Sequence, residues 1–448
     1  MKIKHSPMMF LTFMNIASAM IGFAKGLIIV KLLGAQQYGV IAVIVGIGTT
    51  AVNFVDVRIS DLIAKLYYET KELTVTERCN YRGGLLCIGI AIQVLLGLIL
   101  GFIAFILGVS FLHFFTDTPV VWKIILWLAM AQTINYISML FNYLQRLSER
   151  FFIMGIIQVL NSLLASASLV AAVYSDSSLS GYGKGMLFAA TVSFFFSAGL
   201  CWHLWRRVDH LPILSSNHKQ ALHTYLSNIR FLFATNVLGY IKLLHRAADV
   251  LMVGFFCGDL QTGWYKLARS LTDSLYVLFD AANKVYQPFF LTLLSKNRLE
   301  EFKEAAAGIF KKAVLFTGLV ISIEVVLLPS IINQVLGPSF SGILPIIVIL
   351  TIPFLFVTGF DLWLWPLLVA RGSIGRYNVQ NLIAVGVGQY GLSIGLFFMT
   401  GQESAVWFGV GYTATYLILH ILALPDAARR HPQAFPLSFL VRVGPRVQ

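Results

Sequence analysis

The stretch Gly263–Leu291 reads GWYKLARSLTDSLYVLFDAANKVYQPFFL. It is long and apolar enough to cross a membrane, yet it carries Lys266, Arg269, Ser270, Asp273, Asp280, Lys284 and Gln287. At 100° per residue its five charges fall within about 60° of one another on a helical wheel. A lone charge in hydrocarbon costs roughly 3 kcal/mol or more, so a helix with such a stripe is expected to turn it toward something wet. The reading is therefore a transmembrane helix that lines an aqueous path.

The rest of the chain supports a membrane setting. Of its 448 residues 58% are hydrophobic and 12% charged, against roughly 25% charged in soluble domains, and the mean hydropathy is +0.79. Apolar runs of membrane-crossing length recur from end to end. The expected class is all-α, a polytopic protein of about twelve spans in two pseudo-symmetric six-helix lobes around a central cavity. The spans are placed at 8–31, 39–64, 83–108, 120–144, 151–174, 185–205, 227–256, 263–291, 306–336, 343–369, 377–399 and 404–424. Domain boundaries follow as 1–210, 211–424 and a basic tail, 425–448. Lys2 and Lys4 precede an unbroken apolar run to Val30, read as a first span and not a removed signal peptide. Cys79, Cys87, Cys201 and Cys257 have no ligand or redox spacing and read as small buried residues.

The formal charge of +13 raises the question of nucleic acid, but topology absorbs most of it. With the N-terminus in the cytoplasm, 23 of the 33 Lys and Arg residues fall in inner segments and only Lys31, Lys123 and Lys184 in or beside outer ones. That bias gives an even number of spans with both ends inside. The remaining seven, Lys25, Arg58, Lys242, Arg246, Lys266, Arg269 and Lys284, lie in spans one, two, seven and eight.

Those four spans are equivalent positions of a duplication. Leu33-Gly34-Ala35-Gln36-Gln37-Tyr38-Gly39 and Cys257-Gly258-Asp259-Leu260-Gln261-Thr262-Gly263 share two glycines and a glutamine at an offset of 224, which also pairs Asp56 with Asp280. The glycines read as hairpin chemistry that shapes the fold. Repeats of this kind commonly form two lobes around a midplane site.

Polar residues share faces on all four spans: Asn15, Ser18, Gly22 and Lys25; Thr49, Asn53, Asp56 and Ser60; Lys242, His245, Arg246 and Asp249; and the stripe of span eight. Counting depth along the antiparallel hairpin of spans seven and eight sets Asp249 beside Arg269 and Arg246 beside Asp273. Structural pairing and ligand binding are both open for these couples. Spans seven and eight hold five Lys and Arg against Asp249, Asp273 and Asp280, and Lys25 has no acid on its own span. A surplus of fixed positive charge suits an anionic ligand such as a phosphate or pyrophosphate. The expected substrate contacts are Lys25, Lys242, His245, Arg246, Arg269 and Lys284, with Asn15, Asn53 and Gln287 for sugar hydroxyls. Asp56, Asp249, Asp273, Asp280 and Glu324, with Asp361, are candidates for H⁺ or Na⁺ coupling or gating. Ala at Arg246 or Arg269 is expected to abolish translocation without loss of protein. Pro345, Pro353 and Pro366 should kink span ten, and Trp363 and Trp365 read as interface anchors.

No G-x-x-x-x-G-K-[ST], H-E-x-x-H or D-x-D occurs, which removes the motifs of a self-contained ATPase and of metal-dependent group transfer. No cofactor and no metal is expected. The run Gly26–Gly39, GLIIVKLLGAQQYG, followed by an apolar helix to Asp56, resembles the opening of polysaccharide (O-antigen or lipid-linked oligosaccharide) flippases of the Wzx type. These belong to the superfamily of multidrug, oligosaccharidyl-lipid and polysaccharide exporters. The resemblance implies two lobes in a V around a cationic cavity in the cytoplasmic (inner) membrane. It also implies alternating-access transfer of a polyprenyl-pyrophosphate-linked oligosaccharide for O-antigen, lipopolysaccharide, capsule or exopolysaccharide, with polysaccharide polymerase or assembly proteins as partners. By helix position it carries the family's cavity cations onto Lys25, Lys242, Arg246, Arg269 and Lys284. Two other classes stay open: an ion-coupled small-molecule exporter of the extruder type, and a membrane-embedded polymerase or glycosyltransferase.

Overall fold

The computed structural model describes residues 5–55, 75–112, 121–147, 151–208, 218–228 and 248–436, and among these every regular element is a helix. They are α1 (His5–Val55), α2 (Val75–Leu112), α3 (Val121–Leu147), α4 (Phe151–Ser175), α5 (Leu179–Val208), α6 (His218–Ser227), α7 (Ala248–Ser295), α8 (Leu299–Val335), α9 (Ile343–Phe356), α10 (Leu362–Ala370), α11 (Ile374–Ala384), α12 (Ser393–Thr400) and α13 (Ala405–Arg430). A π-helical turn, Val357–Asp361, joins α9 to α10, and a longer one, Val385–Leu392, joins α11 to α12. Eight stretches among the described residues are long and apolar enough to span a bilayer. The first, Phe13–Val52, has 40 residues. At 1.5 Å per residue that is about 60 Å, twice the hydrocarbon thickness, so it makes two passes.

The bend between those passes is at Gly34, with φ 80° and ψ 168°. The 48-residue α7 bends the same way at Gly258, with φ 75° and ψ 176°. A side chain at positive φ is strained, which is why glycine stands at both. Positions 34 and 258 are the pair separated by 224 in the sequence repeat, so the duplication extends to backbone dihedrals. The protein is a polytopic all-helical membrane protein. Among the described residues each expected span has a helix at its place, the second being described as far as Val55 and the seventh from Ala248 onward.

The chain divides into two compact units, Met1–Leu33 with Ile41–Leu243, and Gly34–Val40 with Leu244–Gln448. In the first unit α5 packs on α3 and α4, and α2 on α3. Gly97 and Gly101 of α2 admit Ile137 and Thr133 of α3 so closely that a Cβ would lie 3.0 and 2.3 Å from them, the small-residue packing that membrane helices use in place of hydrophobic drive. The Gln93 amide donates to the Tyr136 carbonyl at 2.9 Å. Tyr225 on α6 donates to the Leu85 carbonyl at 2.9 Å, which ties this short helix to α2.

In the second unit a core of Phe290, Phe302, Phe360, Trp363, Tyr377, Leu419 and Phe435 joins α7, α8, α10, α11 and α13. Trp363 corrects a sequence expectation. It is not an interface anchor: it is fully buried, its Nε1–H donates to the Gly359 carbonyl at 2.8 Å, and its ring meets Phe360 and Phe435 edge-on. The Gly359 carbonyl that receives it lies in the π turn. The last span also runs past residue 424, to Arg430, and Ala434 and Phe435 pack into the same core. Trp363→Ala is expected to cost about 3–5 kcal/mol, read as a lower melting temperature of the detergent-solubilised protein. An unchanged melt would mean that this core does not hold the unit together.

Candidate functional site

Three of the ionic groups expected at the site, Asp249, Arg269 and Asp273, come together in the second unit. α7 turns Arg269 inward, where it is 2% exposed. Its Nε is 3.7 Å from Asp249 Oδ2 and 3.6 Å from Asp273 Oδ1. Its guanidinium lies 3.9 Å from the centre of the Tyr412 ring on α13, a cation–π arrangement strengthened by burial. Asp249, also 2% exposed, accepts from the Val250 backbone N–H at 2.8 Å and from the Tyr265 hydroxyl at 3.0 Å. Each carboxylate oxygen thus has a donor, and the guanidinium balances the charge. Nε and Nη1 of Arg269 are buried with no hydrogen bond among the described residues, so the attachment is ionic and aromatic and not a bidentate fork.

The stripe of span eight is therefore divided. Lys266 is half-buried, Arg269 faces the interior of its unit, and the Asp273 side chain is 54% exposed. Alignment on a wheel fixes direction around one helix. Burial depends also on which neighbour covers each turn, and here α13 covers the turn of Arg269. The helix backbone includes Asp280 and Lys284, but their side chains lie outside the described residues, as does that of Asn53. Asp56, Lys242, His245 and Arg246 lie wholly outside them, so the expected Arg246–Asp273 couple does too.

On the first half of α1, Asn15 and Lys25 are half-buried, and Lys25 makes no ion pair among the described residues. The Ser18 carbonyl accepts from Ser162 of α4 at 3.3 Å. The Thr49 hydroxyl donates back to the Val45 carbonyl at 2.8 Å, so that part of the expected polar face satisfies itself.

Two further carboxyl groups sit in the second unit. Asp361 closes the π turn, and its Oδ1 accepts from the Tyr377 hydroxyl at 3.0 Å and faces His420 Nε2 at 3.2 Å. His420 Nδ1 is 2.7 Å from the Tyr416 carbonyl and must donate to it. A proton then lies between Nε2 and Asp361, because two acceptors would otherwise face each other. The Tyr416 and Tyr412 hydroxyls are 3.2 Å apart, which extends the chain of polar groups from Asp361 to Arg269. Glu324 on α8 is 9% exposed, and its Oε1 is 2.9 Å from the Thr351 hydroxyl of α9.

A second feature of this unit is the seat of the segment Gly34–Val40 on α7. A Cβ on Gly39 would lie 1.8 Å from the Asp259 carbonyl oxygen, and one on Gly263 would lie 2.1 Å from that of Ala35. Residues 35 and 259, like 39 and 263, are separated by 224. The contact is reciprocal, each repeat's glycine receiving the other's carbonyl, which is the signature of a local two-fold axis. Asp259 beside this seat is held above the ordinary carboxylate range by burial.

A sequence profile of the polysaccharide biosynthesis protein family matches residues 7–294. The chain belongs to this family. The expectation raised by Gly26–Gly39 is met over that whole range. None of the curated proteins matches the sequence. Among solved structures, the lipid II flippase MurJ in an inward closed conformation aligns with TM-score 0.63 at 13% identity, covering 92% of this chain and 87% of that one. An inward-facing multidrug resistance MATE transporter of the MOP superfamily aligns at 0.63 and 14%, covering 94% of each. A variant of the Vibrio cholerae MATE transporter VcmN aligns at 0.56 and 14%, covering 96% and 98%. At these identities the likeness establishes a shared fold.

Within this polysaccharide biosynthesis family member, sequence reading passed over Tyr265, Tyr412, Tyr416 and His420. The signal was available for the last three. Their i, i+4, i+8 spacing puts three polar groups on one face of a largely apolar span, a pattern that a count of fixed charges does not register.

Proposed function

We propose that the protein is a flippase that moves a polyprenyl-pyrophosphate-linked oligosaccharide across the cytoplasmic membrane by alternating access, for O-antigen, capsule or exopolysaccharide synthesis. The observation that carries the reading is family membership over residues 7–294. Its coarser content, a membrane flippase or exporter, is supported by a fold shared with a lipid II flippase and with MATE transporters. The residue chemistry adds a preference within that class. Lys25 is a half-buried cation in a span and has no acidic partner among the described residues, which favours an anionic headgroup over an organic cation. Lys25 is accordingly assigned to the diphosphate, with Lys242, His245, Arg246 and Lys284 as further candidates and Asn15 and Asn53 for sugar hydroxyls. Arg269 is reassigned to holding Asp249, and Asp56, Asp273 and Asp280 stay with gating. Both termini are placed in the cytoplasm by the loop charges, and a polymerase is the expected functional partner.

The test uses the full chain in lipid vesicles with a fluorescent polyprenyl-diphosphate oligosaccharide. Wild type should move it to the opposite leaflet. Lys25→Ala should slow this by ten-fold or more, and Lys25→Arg should retain most of it. Transport of drug cations with no movement of the lipid-linked sugar would give the extruder reading instead. Formation of a longer sugar chain by the purified protein would give the polymerase reading.

A further inference from the structure

Most carboxyl groups described within the spans are held by a cation or an imidazole. Asp249 and Asp273 face Arg269, and Asp361 faces His420. Glu324 differs, since among the described residues no cation lies within ion-pair distance of it. It sits on α8 between outward-facing apolar positions such as Ile323, Val325, Val326 and Leu327. Its Oε2 is buried without a hydrogen-bond partner. An ionised carboxylate buried in this setting has no counter-charge among the described residues, and a bound proton is what removes its charge.

The hydrogen-bond geometry gives an independent reason. Thr351 Oγ1 is 2.9 Å from Glu324 Oε1 and 3.0 Å from the Ile347 carbonyl oxygen. A hydroxyl has one hydrogen to give, and the carbonyl only accepts. With Glu324 ionised, the hydroxyl lies between two acceptors and one contact holds no hydrogen. With Glu324 protonated, its Oε1–H donates to Thr351 Oγ1, and Thr351 donates to Ile347. Both contacts are then hydrogen bonds, and Oε2 is left as a neutral carbonyl oxygen.

Among the described residues the surrounding groups offer no competing charge. From Ala313 to Val335, Glu324 is the one titratable residue on α8, with Lys311 and Lys312 three turns or more away. Neither α9 nor the turn Pro338–Phe340 contains a titratable residue. The π turn contributes Asp361, engaged by His420 and Tyr377. From α7 come Asp249, Arg269 and Asp273, which engage one another, and Tyr276, whose ring meets Phe354.

We propose that Glu324 and Thr351 form a proton-binding site between α8 and α9. The carboxylate takes one proton from water and returns it to water when the site ionises. Thr351 swings its hydrogen from Ile347 to Glu324 as the proton leaves. Use of this proton to drive translocation rests on the transport reading above, whereas its binding does not.

Infrared difference spectra of wild type against Glu324→Gln test the binding. A protonated-carboxyl C=O band should be present at neutral pH in wild type, absent in the variant, and replaced by a carboxylate band at alkaline pH. A difference confined to carboxylate bands at neutral pH would overturn the proposal. In Thr351→Val the ionised form loses its donor, so the band should persist to higher pH, and an unchanged titration would remove Thr351 from the site. If Glu324→Gln folds poorly, dicyclohexylcarbodiimide labelling of wild type, mapped by peptide mass, reads the same state. Modification of Glu324 at neutral but not alkaline pH supports it, and a spared Glu324 at both overturns it. For coupling, a pH gradient across vesicles should accelerate wild-type translocation and leave Glu324→Gln unaffected. An equal response in both would remove the coupling and leave the binding site standing.

Discussion

Arg269→Ala is expected to cost about 3–5 kcal/mol of stability, because it leaves Asp249 as an uncompensated buried charge. Asp249 would keep the Val250 N–H and the Tyr265 hydroxyl, which satisfy its hydrogen bonds but not its charge, and Tyr412 would lose the cation on its face. The measurement is folded yield and melting temperature in detergent. The double variant Asp249→Asn, Arg269→Met removes both charges with little change in volume and should recover most of the loss, since replacing a buried pair by well-packed neutral groups is often nearly neutral. This outcome differs from what charge counting in the sequence predicts, an inactive protein at normal level. Were Arg269→Ala to melt like wild type and yet fail to move substrate, Arg269 would be a headgroup ligand and the pairing incidental.

Gly263→Val and Gly39→Val should each be as damaging, for a reason that has nothing to do with charge. The atoms that a side chain would strike are backbone carbonyl oxygens, of Ala35 and Asp259, at 2.1 and 1.8 Å. No rotamer change relieves such a clash, so the two segments must separate, at a cost of about 3 kcal/mol or more, the upper end for overpacking. Gly308→Ala is the control, since a Cβ there meets nothing within 4 Å and helix propensity favours alanine by about 1 kcal/mol. Equal melting temperatures for Gly263→Val and Gly308→Ala would show that the crossing is not held as described.

How much of this was legible follows from what each signal measures. Apolar run length and loop charge report on the bilayer, and they located the spans. The offset of 224 was legible because identical glycines were needed at identical dihedrals, Gly34 and Gly258. Wheel alignment grouped Lys266, Arg269 and Asp273, but it could not show that α13 buries only the second of them. Trp363 misled because tryptophan near a span end is usually amphipathic anchoring. What decides its place is the core around it and an acceptor, the Gly359 carbonyl, in a π turn that no residue pattern announces. The Asp361–His420 couple joins residues 59 apart, and a single chain carries no local trace of such a pairing.

The seat of Gly34–Val40 on Asp259–Gly263 has a consequence for the order of synthesis. The segment leaves the ribosome before its partner, which is made 224 residues later. At 5–20 residues per second that is a wait of about 11–45 s. Closing so long a loop also costs about 2.7 kcal/mol more in chain entropy than closing one of ten residues. During that interval the first hairpin must stay inserted with its two peptide surfaces uncovered. The second unit therefore completes its fold around a strip of chain that was translated before most of the first unit.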